Sequence, residues 1–324
     1  MATQISEFDE FHAELRSVAG DLLAKDKTVD WAVLADAGWT GLEVPEHLGG
    51  AGATFAEVAV ICEEMGRAVS VNSFLGSAVL AVGAVNALQP SEARDRLLAD
   101  IASGASRVAV AFEPLEFVPD AEGADRILMI EGDVVIERAV TVTPQPVLDE
   151  TRRLAVVTAA GEVTHVHRFA GDPQAQVHRL RDRAAVAVAC DSLGVAEAML
   201  AATVGYAKVR RQFDRPIGSF QAVKHACADM QVTVAVSRQL VSAAVQAIGA
   251  NQPDAATAAA MAKAYAGSAA VDIAGKAMQL HGGIGYTWES GIHVYLKRAA
   301  LNRSLFGSPT VHRQRLAQRY RARS

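Results

Sequence analysis

Apolar positions recur at helical spacing from the start of the chain: Phe8, Phe11, Leu15, Val18 and Leu22 fall on one helix face. The same period predicts a short helix over 29–37, stopped by Gly38. A Gly- and Pro-rich loop fills 38–52. Thr54, with Glu57 three residues on, has the form of a capping box and predicts a helix to about Gly66. The apolar stretch 69–88 is interrupted by Ser, Asn and Gly, which suits a buried helical region better than a bilayer span. From 107 to about 170 the period changes to two. Residues 108–112, 126–130, 133–137, 139–143 and 154–158 are rich in β-branched side chains and predict strands, with turns at Gly132 and Gly161. From about Asp182 the helical period returns. It predicts helices over 184–209, 220–249, 254–280 (capped by Asp254 and ended by Gly282 and Gly283) and 295–306, with a basic helix over 310–321. The expectation is a mostly α protein with a small central β domain. An N-terminal helical domain takes 1–105, a shortened β domain 106–178, and a C-terminal four-helix bundle 179–324.

Composition narrows the class. Of 324 residues, 51% are hydrophobic, enough for two or three packed units. The formal net charge of −5 argues against nucleic acid as a partner. Cys62, Cys190 and Cys227 each lie in apolar helical sequence and read as reduced, buried thiols. The histidines are scattered, with no metal-type spacing. The N-terminal sequence Met-Ala-Thr-Gln-Ile-Ser-Glu lacks the basic and apolar regions of a signal peptide, and no uninterrupted apolar run is long enough to span a bilayer. These features predict a cytoplasmic chain with no membrane span and no metal.

The chemistry concentrates where two long helices are joined. Pro216 and Gly218 break the helical pattern, and Arg210, Arg211 and Arg215 crowd onto the break. Forked guanidinium donors match phosphate oxygens, so a basic turn beside a helix end suits phosphate. Charge spacing alone also fits, less well, an ordinary helical hairpin with solvated arginines.

The order of residues is more specific than the charge. Arg210-x-x-Phe213, Pro216-Ile217, Phe220-Gln221 and Ala228-Asp229-Met230 form one motif. Gln279-Leu-His-Gly-Gly-Ile-Gly-Tyr-Thr287 forms a second. Gly38-Trp39-x-Gly41 with Val44-Pro45-Glu46 and Gly49-Gly50-x-Gly52, followed by Glu63-Glu64-Met-Gly66-Arg67, forms a third. Together they resemble the signature of the acyl-CoA dehydrogenase family, in the family's order and across most of the chain. The resemblance implies an acyl-CoA dehydrogenase-like fold, with the middle β domain barrel-like but shortened, and oxidation of an acyl-CoA thioester to the 2-enoyl-CoA with FAD. The glycines of 38–52 are not followed by a phosphate-loop Lys-Ser/Thr and read as a structural turn.

By the same resemblance, one subunit's FAD extends its pyrophosphate and adenosine onto a neighbour. The neighbour's contributing positions here are Arg210, Phe213, Gln221, Gln279, Gly282 and Gly283. Two departures from the family pattern lie elsewhere, in the ring cradle and the catalytic base. In the middle domain Phe112-Glu113-Pro114 is followed by Leu115-Glu116-Phe117 instead of the family's Gly-Ser-Asp, and 106–178 contains no Trp, so this chain's own hold on a flavin ring is weakened. The family's catalytic Glu takes one of two positions; here the first is Phe306, in Leu305-Phe306-Gly307-Ser308, and the second is Ala184. Neither can accept a proton. Asp191, two turns after Ala184 on roughly the same face, is the candidate for a displaced base, with Asp182 close in sequence; Glu197 and Asp229 read as structural.

The resemblance therefore points to a short, base-lacking subunit that completes the FAD site of a heteromeric enzyme, as in bacterial steroid catabolism. Its expected partners are a longer subunit carrying the catalytic Glu in an α2β2 heterotetramer, an acyl-CoA and an electron acceptor. A self-sufficient homomeric enzyme using Asp191, and a helical scaffold without flavin, stay open as alternatives.

Overall fold

The computed structural model describes residues 2–321, and side chains over 11–319; Phe8 lies outside the described side chains. By contacts the chain divides into two compact units, Met1–Ile61 with Val71–Ala187, and Cys62–Ser70 with Val188–Ser324.

The first unit carries the N-terminal helices and the sheet. Helices α1 (Ala2–Lys25) and α2 (Trp31–Asp36) form where the apolar periods predict them, but on α1 Phe11 and Val18 are exposed while Ala19 and Leu23 are buried, so the buried face is offset from the predicted one. Gly38 stops α2 by turning left-handed, φ +72°. The 38–52 loop packs on itself. A Cβ at Gly50 would lie 2.1 Å from the Val44 carbonyl, so only glycine admits the crossing, which supports a structural role for this loop. It is anchored by Arg183, which pairs with Glu43, donates from Nε to the Val79 carbonyl at 2.9 Å, and lies over the Phe55 ring. The capping box forms as expected: the Thr54 N–H donates to Glu57 at 2.7 Å, and Thr54 Oγ1 accepts from Ala56 N–H as helix α3 (Phe55–Ala68) begins. The 69–88 stretch is a buried π-helical segment (Phe74–Ala81) leading into α4 (Val82–Asn86), and α5 (Glu92–Ala102) follows with Ser91 as its cap.

The sheet has five strands: β1 (Val108–Ala111), β2 (Val118–Pro119), β3 (Arg126–Glu131), β4 (Val134–Gln145) and β5 (Leu154–Arg168), in the order β1-β3-β4-β5-β2. Only β1 and β3 pair in parallel. Period-two alternation sorts the strands onto two faces. Val108, Val110, Leu128 and Val135 pack with α4 and α5 residues such as Val85, Leu97, Leu98 and Ile101. Ala109, Ala111, Ile127, Met129 and Ile136 form a separate cluster on the other face. Two sequence expectations are corrected here. The strands expected over 133–137 and 139–143 are one strand, because a bulge between Glu137 and Val140 kinks it without ending it. Gly161 is not a turn; β5 runs through it, opposite that bulge.

In the second unit, the later part of α6 (Pro173–Val209) packs with α7 (Gln221–Gly249), α8 (Ala255–His281), α9 (Ile292–Ser304) and α10 (Pro309–Arg321). The first bundle helix starts nine residues before the expected Asp182, because Pro173 fits a helix's first turn. Asp254 precedes α8 but makes no side-chain cap; its carbonyl accepts from Thr257 and Ala258 instead. Glycines let backbones touch. A Cβ at Gly194 would lie 1.9 Å from the Glu63 carbonyl, and one at Gly66 would lie 2.0 Å from that of Asp191. By length and composition alone, α6 and α7 are each apolar enough to cross a membrane, although neither is an uninterrupted apolar run. Alanine and valine with few charges raise their mean hydropathy, and the most apolar window of α6 is 78% buried in the protein, that of α7 28%.

Candidate functional site

The basic break between α6 and α7 is a miniature hairpin. Strands β6 (Arg211–Gln212) and β7 (Arg215–Pro216) pair antiparallel, and Phe213 and Asp214 form its two-residue loop at φ +51° and +60°. Positive φ at both central positions is type I′ geometry, a place where Asn-Gly is the usual choice. A bulky ring held there at 86% exposure gains little from packing. Such strained, exposed residues collect at functional sites.

The hairpin is braced from below. The Ile217 N–H donates to the Arg210 carbonyl at 2.8 Å, Arg211 donates to the Asp214 carbonyl, and the Arg215 guanidinium sits 4.1 Å over the Phe220 ring. Phe213 meets Phe220 edge-on at 6.1 Å. Helix α7 begins at Gln221 with no side-chain cap and no acidic residue in its first turn. Its N-terminal N–H groups and the exposed Arg210, Arg211 and Arg215 thus present donors and positive potential in one stretch, the arrangement that favours phosphate oxygens.

The second motif ends α8. Gln279, Gly282 and Gly283 lie at its C-terminal end, and both glycines are exposed. Gly282 has φ +63° and ψ −143°, a region essentially closed to residues with a Cβ, and an added Cβ at Gly283 would meet nothing. Tyr206, in the last turn of α6, joins the two motifs. Its ring stacks on His281 at 4.3 Å, and its hydroxyl donates to the His281 carbonyl at 3.4 Å. Arg210, four residues after Tyr206, and Gln279, two before His281, are thereby brought to one end of the bundle. Sequence reasoning does not find Tyr206; its only signal is a spacing of one helical turn from Arg210.

The positions of a catalytic carboxylate hold none. Ala184 is fully buried. Phe306 is half-buried at φ +56°, and its carbonyl accepts from His312 Nε2 at 3.1 Å. Asp191 is buried, and both its oxygens are occupied: Arg298 Nε donates to Oδ1 at 3.0 Å, Arg298 Nη2 to Oδ2 at 2.7 Å, and Asn302 Nδ2 to Oδ1 at 2.6 Å. A carboxylate so paired is a poor proton acceptor, because protonating it strands a buried guanidinium. Glu197 lies in a network with Glu63, Arg67 and Arg238. There, burial alone would lower the Arg238 guanidinium pKa, but the bonds and charges of Glu63 and Glu197 override it and raise it. Asp229 is exposed on α7 and Asp182 is buried.

One further polar group carries almost no signal in the sequence. Lys263 on α8 is fully buried and donates to the carbonyls of Arg303 (3.1 Å) and Gly307 (2.9 Å). It shows there only as a single charge in the alanine-rich run 255–271.

Comparison with known proteins agrees with this architecture. Residues 7–105 match the N-terminal domain of acyl-CoA dehydrogenases and residues 175–320 their C-terminal domain. The chain is 36% identical over 288 residues to the acyl-CoA dehydrogenase IpdE2 of Mycolicibacterium smegmatis, covering 88% of this chain and 86% of that one. Among solved structures it is similar to the Tcur3481–Tcur3483 steroid ACAD G363A variant, with a TM-score of 0.85 and 25% identity over 98% of this chain and 99% of that one. It shares its fold with the ChsE4–ChsE5 complex from Mycobacterium tuberculosis, TM-score 0.83 at 24% identity, over 95% and 96% of the two chains. The chain belongs to the acyl-CoA dehydrogenase family, oxidoreductases acting on CH–CH bonds.

Proposed function

We propose that this chain is the base-lacking subunit of a heteromeric, FAD-dependent acyl-CoA dehydrogenase, completing the cofactor site of a longer partner that carries the catalytic Glu. The observation that carries this reading is a contrast. Phosphate-type donors converge at the Tyr206–His281 end of the bundle, while 305–308 offers no carboxylate and Asp191 is locked to Arg298. The two-component complexes among the similar structures support a partner subunit, and the steroid ACAD supports a bulky polycyclic acyl thioester as substrate.

The residues fit part of FAD and not all of it. Arg210, with Arg211 and Arg215, would hold the pyrophosphate by charge-assisted bonds. Gln221 and Gln279 would bond polar edges of the adenosine half, with Gly282 and Gly283 allowing close backbone approach and Phe213 an apolar contact. The sheet lacks the Gly-Ser-Asp and Trp positions that would cradle the ring, so the ring is assigned to the partner's side. When bound, FAD supplies the hydride acceptor. This chain fixes the cofactor's far end and leaves proton abstraction to the partner.

The test is turnover with a panel of acyl-CoAs and an electron-accepting dye. The purified, FAD-saturated chain is expected to be inactive, and addition of a Glu-bearing long subunit to restore activity. Turnover by the chain alone would sink the reading.

A further inference from the structure

The end of the bundle that carries the phosphate-type donors also carries large apolar side chains that the chain leaves uncovered. Directly at and after Gly282 and Gly283 the backbone makes two successive 3₁₀ turns, Gly282–Tyr286 and Trp288–Ser290. Tyr286 is 71% exposed, Trp288 74% and Ile284 48%. Exposed apolar side chains scattered singly are ordinary, but three large ones within five residues form a patch. Among the described residues, neither the Tyr286 hydroxyl nor the Trp288 indole N–H has a hydrogen-bond partner. Rings with an apolar body and a free polar tip are favoured at interfaces.

The patch is built in advance. Thr287 Oγ1 donates to the Ile284 carbonyl at 2.9 Å, and Ser290 Oγ donates to the Thr287 carbonyl at 3.0 Å. Gly291, at φ +66°, ends the second turn and leads into α9. Two α9 side chains hold the Trp288 ring: His293 meets it edge-on at 4.4 Å, and the Lys297 ammonium lies 5.2 Å from its centre. A large ring fixed before contact loses little conformational entropy on burial, which makes it an effective anchor.

Charge decides what kind of surface fits over it. Segments 206–224 and 276–290 carry Lys208, Arg210, Arg211, Arg215, Lys224 and Lys276, all exposed, against two carboxylates, Asp214 and Glu289. A diphosphate alone leaves part of this surplus unmatched, so a complementary surface is acidic. A second copy of this chain fits poorly, because a two-fold contact would set these cations against themselves.

We propose that the turn 284–290 is the apolar anchor by which this chain docks on its longer, FAD-carrying partner, with Trp288 as the central contact and the basic residues as a rim meeting an acidic face of that partner. This rests on the functional reading above, which brings the partner's cofactor to Gly282 and Gly283, where the first of these turns begins.

The experiment measures binding of the chain to a Glu-bearing long subunit by biolayer interferometry, with FAD in saturating excess, for wild type, Trp288→Ala, Trp288→Phe and Tyr286→Ala. Trp288→Ala is expected to raise Kd about thirtyfold or more, mainly through faster dissociation. Tyr286→Ala should raise it about fivefold or more, and Trp288→Phe should recover most of the loss. Both side chains are exposed in the chain alone, so its melting temperature should not move. Raising NaCl from about 50 to about 300 mM should slow association about threefold or more. An unchanged Kd in Trp288→Ala overturns the anchor while the functional reading stands. Salt-independent association overturns the acidic partner face. If the wild-type subunits do not assemble, the functional reading fails and the docking surface with it. Two other occupants are separated on the chain alone, by ADP titration and sedimentation velocity. Loss of ADP binding in Trp288→Ala with assembly unchanged would make the ring a nucleotide contact, and a self-dimer broken by Trp288→Ala would make the occupant a second copy; either result overturns the proposal.

Discussion

Arg298 closes on Asp191 with two parallel hydrogen bonds, Nε at 3.0 Å and Nη2 at 2.7 Å, and both side chains are buried. This pair ties α9 to α6, with Asn302 as a third member. Removing one partner leaves an uncompensated buried charge, so Arg298→Met is expected to cost about 3–5 kcal/mol. Replacing both, as Asp191→Leu/Arg298→Met, should cost less than the worse single change. Urea unfolding of the three variants checks this. A single Asp191→Asn variant that folds as well as wild type would contradict the structural assignment.

The basic hairpin gives a second expectation. Arg210→Ala should weaken flavin retention in the assembled enzyme by about tenfold or more, since a hydrogen bond from a charged group contributes about 1.5–3 kcal/mol. Arg210 is exposed and makes no packing contribution to the core, so the melting temperature of the chain alone should stay put. Flavin fluorescence after gel filtration measures the loss, and equal flavin content in mutant and wild type would remove Arg210 from the cofactor site.

Phe213 should show a trade-off. Its left-handed backbone costs about 1–2 kcal/mol relative to a residue at home there. Phe213→Gly is therefore expected to stabilise the isolated chain by about 1 kcal/mol while loosening flavin in the complex. Thermal melting and flavin content, taken on one preparation, separate the two effects. A loss of stability in Phe213→Gly would mean that the contact with Phe220 outweighs the backbone strain.

Lys263 and His312 predict how stability responds to pH. Burial lowers the Lys263 pKa from 10.5 to about 7 and the His312 pKa from 6.5 to about 4. For His312, the bond to Phe306 opposes that fall, while the Lys263 and Arg315 charges add to it. Between pH 7 and 10.5 the unfolded chain holds a proton on Lys263 that the folded chain does not, so stability rises with pH across that window. His312 contributes a rise of the same sign between pH 4 and 6.5. Each slope is at most about 1.4 kcal/mol per pH unit. From about pH 7 to pH 9.5 the urea midpoint of wild type should rise relative to that of Lys263→Met. Parallel curves would show that the amine stays charged when buried.

Much of this is legible in the sequence, for identifiable reasons. Helical periods and the Thr54–Glu57 box are local signals, and the capping box forms as the spacing requires. The acyl-CoA dehydrogenase motifs identify the family because they combine residue type with order. What fails is set by partners distant in sequence. The bulge that keeps β4 continuous depends on its register with β5, and no local signal at Gly161 distinguishes a turn from a strand crossing a bulge. Asp191 reads as a candidate base because its neighbours in sequence are apolar; its cation, Arg298, comes from a helix 107 residues away. Lys263 looks like an ordinary helix lysine because its acceptors are backbone carbonyls, which have no letter in a sequence.

The contact of Gly66 with the Asp191 carbonyl and of Gly194 with the Glu63 carbonyl has a genetic consequence. Every missense change from a glycine codon adds at least a Cβ, and at these two positions that atom would fall about 2 Å from a backbone oxygen. Neither site has a neighbouring amino acid through which it could drift. In a library covering every substitution of this chain, both positions are expected to return glycine alone, whichever acyl-CoA is used for the selection.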